Sequence, residues 1–437
     1  MMRVRVSQRV SAQLFLSGVA TSLVSHSQQQ CTETPVADGE WELRHVSAYF
    51  RHGARAPIYG VSHEGVTDCV WSACASCAAA SRAVEADADR VVRLQSRDGG
   101  RAPESVVDAK QRRLLLPGGC RSGELTELGE RQARELGSQL RGLYGDALAP
   151  RPERLSARTT NVARCVLSLR GVLQGLLRAD APVVPVDTVH ASREWLTVAS
   201  GRCARLRQLW GELGDPFDSP RSATKTAVYA SLQAKIARAG VPLKDAMIAR
   251  ASLGAPLPWD LSDEELRALD LAAAEEVAML IGVGVIDRAT QIELLRLCAG
   301  RLVHELRSEL VDAGPRTLRL VSGHDTTVKP LLVALDAYDH RWPPFCACVS
   351  IELYQHKDDA TKRAVRVLYN GLTAPSVAGS AGDFYVVRDL GPLDDFLELL
   401  EPIALSPADF ECACTPRDTM DNPPEQTAAA TTGGSSF

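Results

Sequence analysis

Runs of strand length that alternate or cluster apolar residues are followed, more than once along the chain, by runs whose apolar positions recur at helical spacing. LRHVSAYF, from Leu43, is the first β-prone stretch. ERLSAR, ending at Arg158, reads as a second strand. From Thr160 the run TNVARCVLSLRGVLQGLL sets Val162, Val166, Leu169, Leu173 and Leu176 on one helical face, with Thr159 or Thr160 as its N-cap. TLRLV before Ser322 reads as a third strand, and after SGHDTT the run VKPLLVAL reads as a helix capped by Asp325 or Thr326, with Pro330 near its first turn. A further helix begins near Thr126 and spaces Leu128, Leu136, Leu140 and Leu143 along its apolar face.

VSIELYQ from Val349 and RAVRVLYNG from Arg363 alternate and are separated by the charged HKDDAT, so they predict an antiparallel hairpin that closes the edge of the sheet. Strands followed by helices predict an α/β fold with a mostly parallel central sheet flanked by helices. Between about Ala191 and Pro315 the pattern turns almost wholly helical, as in SDEELRALDLAAAEEVAMLIG from Ser262. The expected organisation is an α/β domain over 41–190 and 315–411, with a helical cap at 191–314 inserted between strands and seated over the sheet's carboxyl end. No internal repeat is visible. From Thr415 the tail is polar, rich in Pro, Gly, Ser and Thr, and is expected to be disordered over 415–437.

Composition narrows the classes. Of 437 residues, 45% are hydrophobic and 24% charged, and the net charge is −5, so the chain as a whole offers no electrostatic support for a nucleic-acid partner. Before Glu33, the first acidic residue, stand Arg3, Arg5, Arg9 and many serines, the composition of a mitochondrial transit peptide. LFLSGVATSLV from Leu14 could instead be the apolar part of a secretory signal, which makes 1–32 a targeting segment of either kind. That run is too short to span a bilayer, which leaves at most peripheral membrane contact. Asn161, Asn370 and Asn422 open no glycosylation sequon, which weighs against secretion. Twelve cysteines include the cluster Cys69, Cys74 and Cys77. Disulfides or buried thiols account for them better than a zinc site with Cys31, Cys120 or His63, because no second ligand pair has the right spacing.

Three segments carry candidate chemistry: RHGARAP from Arg51, SARTT around Arg158, and SGHDTT from Ser322. Each follows a predicted strand, so all three fall at the carboxyl edge of the sheet and can converge. Convergence gathers Arg51, Arg55, Arg158, His52, His324 and Asp325. Three guanidiniums in one pocket call for an anion, and a phosphate dianion suits their forked donors best. Gly53 would let the main chain approach that anion, and Pro57 would stiffen the loop. Flanking arginines keep His52 neutral and nucleophilic, and bound phosphate should raise Asp325 toward the range of a general acid. The arginines supply the charge a metal ion would bring, so neither metal nor cofactor is expected.

RHGxRxP followed far downstream by an HD pair resembles the histidine acid phosphatases, a branch of the histidine phosphatase superfamily. The resemblance implies a phosphoglycerate-mutase-like sheet, with His52 as the phosphorylated nucleophile and Asp325 as the proton donor. It also implies phosphate ligation by Arg51, Arg55, His324 and the Arg158 of SARTTNVAR. GELTELGERQARELGSQLRGLY, DHRWPPFCACVSIELYQHKDD and GPLDDFLELL are similar to the family's mitochondrial lysophosphatidic acid phosphatase group, which implies a lysophospholipid or other small phosphomonoester as substrate. This similarity runs from about Trp41 to Cys414, strongly at both ends and loosely in the helical region. Residues from about Val61 to Gly119 have no counterpart in it. The rival readings are a broad or sugar-phosphate phosphatase, a phosphate-binding protein without turnover, and a redox or zinc protein. Oligomeric state is not legible.

Overall fold

A computed structural model describes residues 39–58, 69–72, 92–148, 154–177, 181–198, 202–213, 227–228, 231, 241–254, 262–285, 287–312, 318–371 and 382–416. In chain order the elements are β1 (Trp41–Arg51), β2 (Val92–Ser96), α1 (Val106–Gln111), α2 (Glu127–Leu148), β3 (Leu155–Thr159), α3 (Ala163–Leu176) and β4 (Val184–Thr188). Then come α4 (Ala204–Leu213), α5 (Val241–Ser252), α6 (Asp263–Leu280), α7 (Arg288–Asp312), β5 (Leu318–Gly323) and α8 (Asp325–Ala334). The chain ends with β6 (Cys348–His356), β7 (Arg363–Tyr369), β8 (Tyr385–Pro392), α9 (Leu393–Leu400) and α10 (Pro407–Ala413).

The strands form one eight-stranded sheet in the order β2-β4-β3-β5-β1-β6-β7-β8. The first five run parallel and the last three antiparallel. The β6–β7 hairpin forms as its alternation predicts, yet it does not close the edge, because β8 pairs outside β7. At the other edge stand β2 and β4, two five-residue strands that the hydrophobic pattern does not mark.

Both faces of the sheet are covered, which is what parallel strands require. On one face Val46, Ala48, Phe50, Leu155 and Leu320 pack under α2 and α3 through Leu136, Leu140, Leu169 and Leu173. On the other, Tyr49, Val321 and Ile351 meet Leu302 and Leu306 of α7, Leu331 of α8 and Phe396 of α9. Cys203, at the start of α4, forms a disulfide with Cys414 at the end of α10. Cys165, Cys298, Cys346 and Cys348 are buried free thiols, and Cys120 is buried. Among the described residues no helix is long and apolar enough to cross a membrane. Residues 1–38, Cys74, Cys77, His63 and the tail from 417 lie outside the described residues.

Candidate active site

The level ends of β3, β5 and β1 decide where the chemistry sits. The parallel registers pair Arg51 with Gly323 and Thr159 with Ser322. His52, His324 and Thr160 therefore leave the sheet side by side at its carboxyl edge. The rings of His52 and His324 lie 5.5 Å apart, nearly edge to face. Both line a pocket of about 320 Å³ together with Arg55, Thr160, Arg164 and Asp325.

The loop after β1 rests backbone to backbone on α2. A Cβ on Gly53 would stand 2.2 Å from the carbonyl oxygen of Gly129, and one on Gly129 would stand 2.1 Å from that of Ala54. Gly53, expected to make room for an anion, makes room for a helix. Ser168 Oγ accepts from the Gly53 N–H at 3.0 Å and Gln132 Oε1 from the Ala54 N–H at 2.9 Å, which fixes the loop further.

His52 Nδ1 lies 2.9 Å from the carbonyl oxygen of Gly53. A carbonyl only accepts, so Nδ1 carries the hydrogen and Nε2 keeps its lone pair. Burial, then the charges of Arg164 and Arg51, push His52 well below the ordinary 6.5. Burial and Arg164 likewise push His324 down to about 3, against the opposing pull of Asp325. Its Nε2 is 3.0 Å from Thr160 Oγ1.

Three buried guanidiniums surround these rings. Arg51 Nη1 donates to the Pro343 carbonyl at 2.8 Å, its guanidinium lies 4.1 Å above the Phe345 ring, and its Nη2 is 3.3 Å from Asp325 Oδ2. Arg55 Nη2 donates to Asp245 Oδ1 at 2.8 Å, and Arg164 Nη1 donates to Gln111 Oε1 at 2.8 Å. In all three the Nε is buried without an acceptor. Arg158 and Arg319 share that feature, so it is the convergence of three guanidiniums on two imidazoles that suits the arrangement to an anion. Asp325 opens α8. Burial pushes its carboxyl up, but Arg51, His324 and Arg55 together outweigh that and hold it at about 2.

Arg158 does not join this cluster. It pairs across β3 and β5 with Val321, whose side chain packs on the α7 side of the sheet, so Arg158 projects there too. Its Nη2 donates to Glu194 Oε1 at 2.8 Å, and its guanidinium lies 4.1 Å over the Trp195 indole. It borders a separate cleft with Arg97, Glu305, Glu309 and Arg319. The third arginine of the pocket is Arg164, the second residue of α3. The same SARTTNVAR string holds it, five positions beyond the strand end. A cation in the first turn of a helix opposes the helix dipole, and that misfit was the available signal.

The caps differ from expectation for a related reason. The N-cap of α3 is Val162, not Thr159 or Thr160, and has no side-chain bond to give. Asp108 Oδ2, from α1, accepts from the Ala163 N–H at 2.8 Å in its place. For α8 the N-cap is His324, whose N–H donates to Thr327 Oγ1 at 2.9 Å. Pro330 is the sixth residue of α8, in its second turn. Among the described residues no group of three or more His, Cys, Asp or Glu could hold a metal ion.

A bare imidazole nitrogen among guanidiniums at this sheet edge defines a class, the histidine phosphatases. The chain belongs to the histidine phosphatase superfamily (branch 2), whose sequence model matches residues 42–234 and 285–370. It is similar to lysophosphatidic acid phosphatase type 6 of Homo sapiens, 29% identical over 438 residues that cover 92% of each chain. It is also similar to prostatic acid phosphatase of Mus musculus, 25% identical over 411 residues, 86% of this chain and 90% of that one. In fold it resembles the apo form of Hafnia alvei phytase, with a TM-score of 0.56 at 14% identity, covering 87% of this chain and 99% of that chain.

Proposed function

We propose that the chain is a metal-independent acid phosphatase that hydrolyses a lysophosphatidic acid to monoacylglycerol and phosphate through a phosphohistidine at His52. The observation that carries this reading is the Nδ1 hydrogen bond of His52 to Gly53, which leaves Nε2 bare among Arg51, Arg55 and Arg164. The phosphate of the monoester accepts from the three guanidiniums and from His324. Nε2 attacks phosphorus in line, the P–O ester bond breaks, and Asp325 gives its proton to the departing alkoxide. Water then attacks phosphorus, the P–N bond breaks, and Asp325 takes the water's proton.

Arg51, His324 and Arg55 hold the Asp325 carboxyl at about 2. The arriving phosphate draws Arg51 and Arg55 to itself and adds negative charge beside the carboxyl, which raises its pKa toward the working range of an acid. The similarity to a lysophosphatidic acid phosphatase along nearly the whole chain supports the lipid substrate. We also take 191–314 as a cap over the pocket, which the contact of Asp245 on α5 with Arg55 and with the Ile58 N–H supports. Arg3, Arg5 and Arg9 support a mitochondrial address, while the Cys203–Cys414 disulfide requires an oxidising compartment there or in the secretory lumen. Imaging a tagged full-length chain beside one lacking its first thirty or so residues separates those addresses.

The test of the chemistry is acid-labile, base-stable phosphate labelling of the wild type that His52→Ala abolishes. Release of phosphate from no monoester at any pH would leave a binding protein without turnover. The test of the substrate is a panel under equal conditions. If lysophosphatidic acid shows no higher kcat/KM than sugar or inositol phosphates, the lipid assignment falls.

A further inference from the structure

Among the described residues seven large hydrophobic side chains stand exposed, and four of them, Val70, Val106, Leu114 and Leu115, belong to one small region. Leu115 is 69% exposed and Val70 67%. This is not a loose end of the chain. Leu115 pairs with Arg121, the Leu116 N–H donates to the Cys120 carbonyl at 2.8 Å, and the Trp71 N–H donates to the Pro117 carbonyl at 2.7 Å. Leu116 turns inward onto Trp71 and Cys120 while Leu114 and Leu115 stay outside. The fold therefore holds the leucines at the surface.

Cations flank them. From 106 to 123 the chain carries Lys110, Arg112, Arg113 and Arg121 against one acid, Asp108, whose carboxylate is turned to the start of α3, in a protein of net charge −5. Arg112 is neutralised by Glu124, and Lys110, Arg113 and Arg121 are exposed. The same stretch borders the pocket, since Val107 and Gln111 of α1 line it and Gln111 holds Arg164. Apolar side chains that can enter the acyl boundary, ringed by cations that meet headgroup phosphates, are the elements of an interfacial anchor. A second copy of the chain is a poor occupant, because a two-fold contact would set Lys110, Arg113 and Arg121 against themselves.

We propose that α1 and the turn after it form the docking surface by which the protein sits on an anionic lipid membrane, with the mouth of the pocket beside the bilayer. The inference deepens the lipid-phosphatase reading and rests on it for the purpose of docking, though not for the docking itself.

The experiment is sedimentation of the full-length protein with phosphatidylcholine vesicles, with and without phosphatidylserine. The wild type should partition onto the vesicles that carry phosphatidylserine, and less so as salt is raised. The double variant Leu114→Ser, Leu115→Ser should partition about tenfold or more weakly, and Arg113→Ser with Arg121→Ser should weaken partition as well. Both variants should hydrolyse soluble p-nitrophenyl phosphate at the wild-type rate, which shows that they are folded and that the site is intact. Wild type that fails to sediment with anionic vesicles, a leucine variant that binds them as well as wild type, or equal binding to neutral vesicles overturns the proposal. So does a concentration-dependent dimer that the leucine variant abolishes. Vesicle binding by a wild type that hydrolyses no monoester would sink the phosphatase reading alone.

Discussion

Two clusters of arginines flank the same strands and have opposite characters. At the carboxyl edge Arg51, Arg55 and Arg164 face two carboxylates, Asp325 and Asp245, and two imidazoles driven down by burial and by their charge. Beneath α7, Arg97, Arg158 and Arg319 meet Glu194, Glu305 and Glu309, and Trp195 Nε1 donates to Glu305 Oε2 at 2.7 Å. The second set bonds each guanidinium to a carboxylate, while in the first Arg164 donates to the amide oxygen of Gln111 instead. Buried cations without matching anions mark a place where an anion comes and goes, and buried cations with them mark a place that stays put.

The sharpest way to break that comparison is to remove the groups the first cluster serves. His52→Ala is expected to lower kcat/KM on a soluble phosphomonoester by about 10⁴-fold or more with little change in unfolding midpoint. Next come the two arginines. Arg164→Ala should cost roughly 10²- to 10³-fold in kcat/KM. Arg158→Ala should cost about 3–5 kcal/mol of stability, because it strands Glu194, while its folded fraction turns over within about tenfold of wild type. Denaturant titration beside steady-state kinetics separates the two, and a reversal of the pattern would exchange their roles.

A smaller effect lies in the pH dependence. Because His52 is neutral well below 6.5, kcat/KM should hold as pH falls through 6.5 and drop only at lower pH. Arg164→Ala removes one of the charges that depress His52, so the acid limb should move upward. An acid limb already at 6.5 in the wild type would contradict the neutral nucleophile.

The smallest effects are in acid stability, and the two clusters should fail in different windows. His324, lowered from 6.5 to about 3, binds its proton more readily when unfolded, so its presence costs stability as pH falls from 6.5 toward 3. Burial raises Glu305, but Arg319, Arg158 and Arg97 outweigh it and bring the carboxyl from 4.5 to about 2. Its stability is fully present above 4.5 and is lost as pH falls through 2, on the order of 3 kcal/mol in all. His324→Asn should flatten the first window and Glu305→Gln the second, read as unfolding free energy against pH.

Much of the frame is visible in the chain because the central parallel strands are apolar runs that end at polar motifs. The apolar runs before Arg51, Arg158 and Ser322 became β1, β3 and β5, and their endings brought His52, His324 and Asp325 together. What stayed hidden depended on partners distant in sequence. A threonine beside a helix start looks like a cap until Asp108 arrives from another helix. An arginine at a strand end looks like a phosphate ligand until the pleat turns it under α7. Arg164 looked like one more polar position on a helix, and its meaning came from where that helix begins.

Cys203 and Cys414 join two points 211 positions apart, and the chain between them, closed by the sulfur bond, is a covalent ring. β5, β6, β7 and β8 all belong to that ring, and β1 does not. Yet β1 lies between β5 and β6. The strand that delivers His52 is thus flanked on both sides by strands of one closed loop of which it is not itself a part.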